Sequence, residues 1–192
     1  MPRHCLISFL LLLLFFGFNG HHTHAETAAL ILSKHDLTWV SCAPNDDIDT
    51  VVDALKQRYK VEMNSMAHAG VNAYVGGDPT PAMAWVLSLD FNDHGHVIGM
   101  KYGRFKKSKT GIAIKTNRGI EAGSSLSRVY ERYGQSPKIT RKRDPAMKYV
   151  YLEYPFLLEE SGQQGRLIFT LQHKVGAPEL AATVIVLEWV LI

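Results

Sequence analysis

The chain has 192 residues, 46% hydrophobic and 20% charged, with a formal net charge of +3. Such a composition is that of a globular protein and excludes a low-complexity or disordered chain. The charge balance is too small to carry the electrostatic footprint of a nucleic-acid binder.

The N-terminus opens with Arg3 and His4 ahead of an apolar run from Leu6 to Phe18. The run is short for a bilayer span. Asn19-Gly20 ends it, and Thr23-His24-Ala25 offers small residues at the positions a signal peptidase reads. The pattern predicts a secretory signal over 1–25, cleaved after Ala25, and a periplasmic or secreted mature protein; an uncleaved anchor is the alternative. No later run approaches spanning length, so no stable membrane span is expected in the mature chain. Cys5 precedes the apolar run and leaves with the signal, so Cys42 is the one expected mature cysteine and no internal disulfide follows.

Beyond the signal, Ile48, Val51, Val52, Leu55 and Tyr59 recur on one helical face, with Asp46 and Asp47 placed to cap the free amides. A strand is expected over 71–75. Trp85, Leu87, Leu89 and Phe91 alternate with smaller or polar residues, Asn92-Asp93-His94-Gly95 is a turn, and 96–102 completes a hairpin. Lysine, serine, threonine and glycine mark a join over 106–115. A second helix follows: Leu126, Val129, Tyr130 and Tyr133 share a face, Ser124 or Ser125 caps it, and Gly134 is placed to end it in the left-handed conformation. Strands are then expected over 148–154, 167–171 and 183–192. In the last, Ile185, Leu187, Trp189 and Leu191 fall on one face and Val184, Val186 and Val190 on the other.

Each half therefore reads helix, strand, strand, strand. The expected fold is α+β: two related helix-plus-three-strand units, 26–110 and 111–192, forming an antiparallel sheet with helices on one face. One continuous domain is the alternative. A single small unit buries little, which favours packing of the two together.

The segment Gly119-Ile120-Glu121-Ala122-Gly123-Ser124-Ser125-Leu126-Ser127-Arg128-Val129-Tyr130-Glu131-Arg132-Tyr133-Gly134, with Pro137 behind it, resembles the helix motif of SmpA/OmlA (BamE-type) envelope proteins. It is also similar to the tandem α+β repeats of β-lactamase-inhibitor proteins. The glycine-to-proline gap is one residue longer than in that motif, and no lipid-anchor cysteine follows the apolar run. The resemblance implies a non-catalytic module that binds another envelope protein.

Candidate chemistry is sparse. Asp90 to Gly95 resembles the start of a calcium loop, but its fifth position is His94 and its twelfth is Lys101, where a bidentate glutamate is needed, so a hairpin turn is the better reading. His94 and His96 lack a third ligand at zinc-binding spacing. His21, His22 and His24 fall within the signal. Cys42 would need His35 or His68 as a base to act as a nucleophile. Ser124 lacks the second glycine of a nucleophile elbow. No cofactor, metal or catalytic set is expected. Two basic runs and a tyrosine-bearing strand are left, and they nominate Lys101, Arg104, Lys106, Lys107, Arg141, Arg143, Tyr149 and Tyr151 for partner binding. The expected function is an exported, non-catalytic protein-binding module of the bacterial envelope, of accessory or inhibitor type. The alternatives are a small hydrolase using Cys42 or a histidine, and a lipid- or small-ligand-binding protein.

Overall fold

The computed structural model describes residues 29–58, 61–64, 72–75, 87–103, 114–136 and 138–192. The expected signal over 1–25, its cleavage site, His68, most of the join, and Arg104, Lys106 and Lys107 lie outside them.

Nine strands form one mixed sheet: β1 (Leu30–Leu32), β2 (Val61–Asn64), β3 (Asn72–Val75), β4 (Leu87–Phe91), β5 (Val97–Gly103), β6 (Lys138–Arg143), β7 (Met147–Leu158), β8 (Gln164–Lys174) and β9 (Thr183–Leu191). The spatial order is β1-β7-β8-β9-β5-β4-β3-β2, with β6 also on β7. Among the described residues two short α-helices accompany it, α1 (Ile48–Lys56) and α2 (Leu126–Tyr133), with 3-10 turns at Lys34–Leu37 and Glu179–Ala181.

The expectation of two helix-plus-three-strand units on an antiparallel sheet is overturned. Strand dominates, and each helix precedes four strands, which meander antiparallel: β2-β3-β4-β5 and β6-β7-β8-β9. The meanders meet where β5 pairs β9 antiparallel, with Met100 opposite Trp189. β1 pairs β7 in parallel, Leu30 opposite Phe156. The physical reason is that β1, β2 and β6 are too short or too polar to carry a clear periodic signal. β6 reads Lys-Ile-Thr-Arg-Lys-Arg, with one apolar residue, and β1 is three residues long.

β7 has two neighbours along one edge. β6 pairs it from Lys148 to Glu153 and β1 from Phe156 to Leu158. Pro155 falls in the interval between them, a position suited to a residue with no N–H to donate. One glycine on β8 is required by its neighbour. A Cβ on Gly165 would collide with the Phe156 ring lying across it and would sit 2.7 Å from the Val190 carbonyl oxygen.

The core follows the alternation. Val150, Leu152, Tyr154, Phe156 and Leu158 of β7 face inward with Leu167, Phe169 and Leu171 of β8, Leu187, Trp189 and Leu191 of β9, Met100 and Tyr102 of β5, and Leu87, Leu89 and Phe91 of β4. Val51, Val52 and Leu55 of α1 and Leu126, Val129 and Tyr133 of α2 join the same cluster. Trp39 and Trp189 meet edge-on with centroids 6.4 Å apart, both buried, and neither indole N–H has a hydrogen-bond partner among the described residues.

The helix ends follow local chemistry. Asp47 caps α1 by accepting from the Asp49 and Thr50 amides. Ser125 caps α2 by accepting from the Arg128 amide. Gly134 ends α2 at φ 78°, as its type suggests, but with ψ −178°, outside the left-handed helical region. Its carbonyl accepts from the Tyr154 hydroxyl at 2.8 Å, tying the helix end to β7.

One face assignment changes. Thr170 opposes Val186 while Leu171 opposes Val184, so Ile185 is an extra residue in β9. A bulge shifts every residue beyond it to the other face. Val184 is thereby buried with Leu187, whereas strict alternation sets it with Val186. The same irregularity places Ile98 as the extra residue in β5.

Candidate partner-binding face

The other face of the sheet carries the residues that alternate with the core. Its composition follows from cross-strand register. One rung runs Lys138, Glu153, Ile168, Glu188, Lys101, Ser88 across β6, β7, β8, β9, β5 and β4. The next runs Thr140, Tyr151, Thr170, Val186, Gly103, and the one beyond it Lys142, Tyr149, Gln172, Thr183. In the opposite direction lie Pro155, Arg166, Val190, Gly99 and Asp90.

Ion pairs hold Lys138, Glu153, Arg166, Lys101 and Glu188 on this face. Lys138 Nζ stands 2.9 Å from Glu153 Oε2, and Arg166 Nη1 is 3.5 Å from the same carboxylate. Lys101 Nζ stands 3.2 Å from Glu188 Oε2 across the β5–β9 junction. Between the pairs, Ile168, Val186 and Val190 are half-buried. Lys142 Nζ lies 5.3 Å from the Tyr151 ring centroid, a cation–π arrangement. Tyr149 donates its hydroxyl to Asp144 Oδ2 at 2.9 Å, and the Ala146 and Met147 amides donate to Oδ1. The Met147 and Ala146 amides and the Tyr149 hydroxyl hold the Asp144 carboxyl below its ordinary pKa, and the same carboxylate raises that of Tyr149. The two tyrosines are therefore held by the strand on one side and by a lysine and a turn carboxylate on the other.

Of the residues nominated from sequence, Lys101, Tyr149 and Tyr151 share this face. Arg141 and Arg143 fall on the other face of β6, by alternation. Arg141 is engaged there: its Nε and Nη2 both donate to Glu179 at 2.8 Å. That pair lowers the Glu179 pKa and raises that of Arg141. Sequence reasoning missed Glu153, Arg166, Ile168, Glu188, Val186 and Val190, while Lys138 and Lys142 belong to the second basic run read from the sequence. For β8 and β9 the period-two pattern was the available signal. For β6 no apolar period exists to set the parity.

The remaining chemical candidates sit elsewhere. Cys42 is fully buried, and its backbone pairs with Trp39. Burial, with Asp46 adding to it, pushes the thiol pKa far up, so the nucleophilic thiolate is suppressed. His94 and His96 lie on the β4–β5 turn, where both amides donate to Asn92 Oδ1. Among the described residues, no group of three histidine, cysteine, aspartate or glutamate side chains is placed to hold a metal. Among them, too, no helix is long and apolar enough to cross a membrane. No family model, curated protein or solved structure matches the chain.

Proposed function

We propose that this is an exported, non-catalytic protein-binding module of the bacterial envelope, of accessory or inhibitor type, whose partner sits on the outward face of β5 to β9. The observation that carries the reading is the composition of that face. Two anchored tyrosines and three half-buried aliphatic residues lie among three ion pairs within the sheet, with Lys142 stacked on Tyr151. Tyrosine and aliphatic side chains supply contact area in interfaces, and the acidic and basic residues interleaved with them here are held in ion pairs. Paired charges also resist being stripped of water less than lone ones would.

The size fits. Five strands at about 4.8 Å spacing, extended over about nine residues at 3.3 Å each, present roughly 700 Å², near the roughly 800 Å² per partner of a standard interface. The export pattern of residues 1–25 and the resemblance of the α2 segment to envelope-protein helices support the location and the class. The suppressed Cys42 thiol weighs against the thiol-hydrolase alternative.

The test is site-specific photocrosslinking in cells that export the protein. A photoreactive side chain replacing Tyr151 should yield one discrete adduct, and the same group at exposed Asp49 on α1 should yield none. Equal labelling from both sites, or none from position 151, would overturn the reading.

A further inference from the structure

β6 is an edge strand. Among the described residues it pairs β7 on one side and nothing on the other. Every side chain on it is exposed except Ile139, which is half-buried. Both of its rows are cationic: Lys138 and Lys142 flank Thr140 outward, and Arg141 and Arg143 continue the Ile139 row. No carboxylate lies on the strand.

Charged edges are a common guard against unwanted strand pairing. That role is met by one or two lysines and does not require like charges to face each other. Here Arg143 lies directly opposite Lys148 on β7. Neither has a described carboxylate within ion-pair distance. Like charges opposite one another across a strand pair destabilise it. Lys138 and Arg141 are engaged with Glu153 and Glu179. Lys142, stacked on the Tyr151 ring, and Arg143 are therefore the β6 cations with no described carboxylate partner, adjacent in sequence and on opposite faces. A second copy of this chain would bring the same cations and be repelled.

We infer that the free edge of β6 accepts an acidic extended segment of the partner protein as an added strand, with neighbouring carboxylates meeting Lys142 and Arg143. This rests on the binding-module reading and gives the partner's chemistry. Backbone hydrogen bonds along the edge supply the attachment, and the side chains set the choice of sequence. Because Lys142 and Arg143 face opposite ways, two consecutive acidic residues in the added strand satisfy both. The docked strand also extends the outward face beside Tyr149 and Tyr151.

The test uses the mature protein and labelled octapeptides of threonine and valine with a central Glu-Glu pair, read by fluorescence anisotropy. The Glu-Glu peptide should bind saturably and weaken about tenfold or more as salt rises from about 50 to 500 mM, since screening acts on exposed charge. Methylating alternate peptide amides should abolish binding, because it removes edge hydrogen bonds and leaves the charge. Lys142→Glu with Arg143→Glu should weaken binding at least tenfold, with an unchanged circular dichroism spectrum. Equal binding of a Lys-Lys peptide, retained binding of the methylated peptide, or no saturable binding would each overturn strand addition. Persistence of the position-151 crosslink in that event leaves the binding-module reading standing, while its absence removes both.

Discussion

The two meanders meet at β5 and β9, and among the described residues their strands differ in length. Moving away from the junction, the N-terminal strands shorten from seven residues in β5 to five, four and four. The C-terminal strands lengthen from nine in β9 to eleven in β8 and twelve in β7, and only then fall to six in β6. The outer edge of β7, the longest strand, is completed beyond β6 by β1, a segment from the other end of the chain. Beyond β1, that segment is tied to the β7–β8 turn region. The Lys34 amide donates to Glu160, the Asn45 amide side chain to Gln163, and the Glu159 amide to the Leu32 carbonyl. The long half of the sheet is thus held by residues that precede α1, and the two halves share a core.

The largest expected effect tests that sharing. Trp189→Ala in β9 should destabilise by about 4 kcal/mol and Leu89→Ala in β4 by about 3 kcal/mol, as large-to-small changes in a packed core do. Both should move a single urea transition followed by tryptophan fluorescence and far-ultraviolet circular dichroism. Two separate transitions, each sensitive to one variant, would break the picture of one core.

Next is a matched glycine pair that sharpens the contrast between the halves. Gly165→Ala drives a methyl group into the Phe156 ring and the Val190 carbonyl, and should cost about 2–3 kcal/mol. Gly99→Ala meets the Asp90 carboxylate at 3.0 Å, the far end of a side chain that can turn aside, and should cost under about 1 kcal/mol. Equal losses in urea unfolding would show that the long half is no more tightly packed than the short one.

The smallest effect concerns charge. Glu179 is held below its ordinary pKa of 4.5, first by the hydrogen bond from Arg141. A lowered carboxylate pKa adds stability that is fully present above the ordinary value and is lost as pH falls through the lowered one. The pair is well exposed, at 56% and 37% for the two side chains, so solvent screening limits it to at most about 1 kcal/mol. Glu179→Gln should therefore lower the urea midpoint near neutral pH, and the difference should vanish in acid. A difference that persists there would assign the loss to packing of the β8–β9 connection.

Much of the local structure was legible. The 3.6-residue spacing of Val51, Val52 and Leu55, and of Leu126, Val129 and Tyr133, placed both helices, and the pairs Asp46-Asp47 and Ser124-Ser125 marked their starts, of which Asp47 and Ser125 are the caps. Alternation marked β4, β8 and β9, because half-buried strands write their two faces into neighbouring residues, and the Asn92–Gly95 turn marked β5 as the second arm of a hairpin. β6 was read as a basic run because an exposed edge has no apolar period. β7 was cut short before Pro155, since proline fits a strand only where no neighbour needs its amide, and that depends on where β6 and β1 end. The site was legible only in part. Tyr149, Tyr151 and Lys101 carry the right parity, but β9 is apolar on both faces, so nothing local says which face is covered.

Residues within a turn or two of one another determined the helices, their caps, the β4–β5 turn and the alternation of the long strands, since those depend on short-range hydrogen bonding and side-chain spacing. Tertiary structure alone decided the strand order, the β5–β9 junction, the parallel seat of Leu30–Leu32 on Phe156–Leu158, and the bulges that turn Val184 inward and make Ile185 and Ile98 the extra residues. Those depend on which distant apolar surfaces meet, and residues as far apart as Leu30 and Phe156 leave no mark on each other's neighbours in the chain.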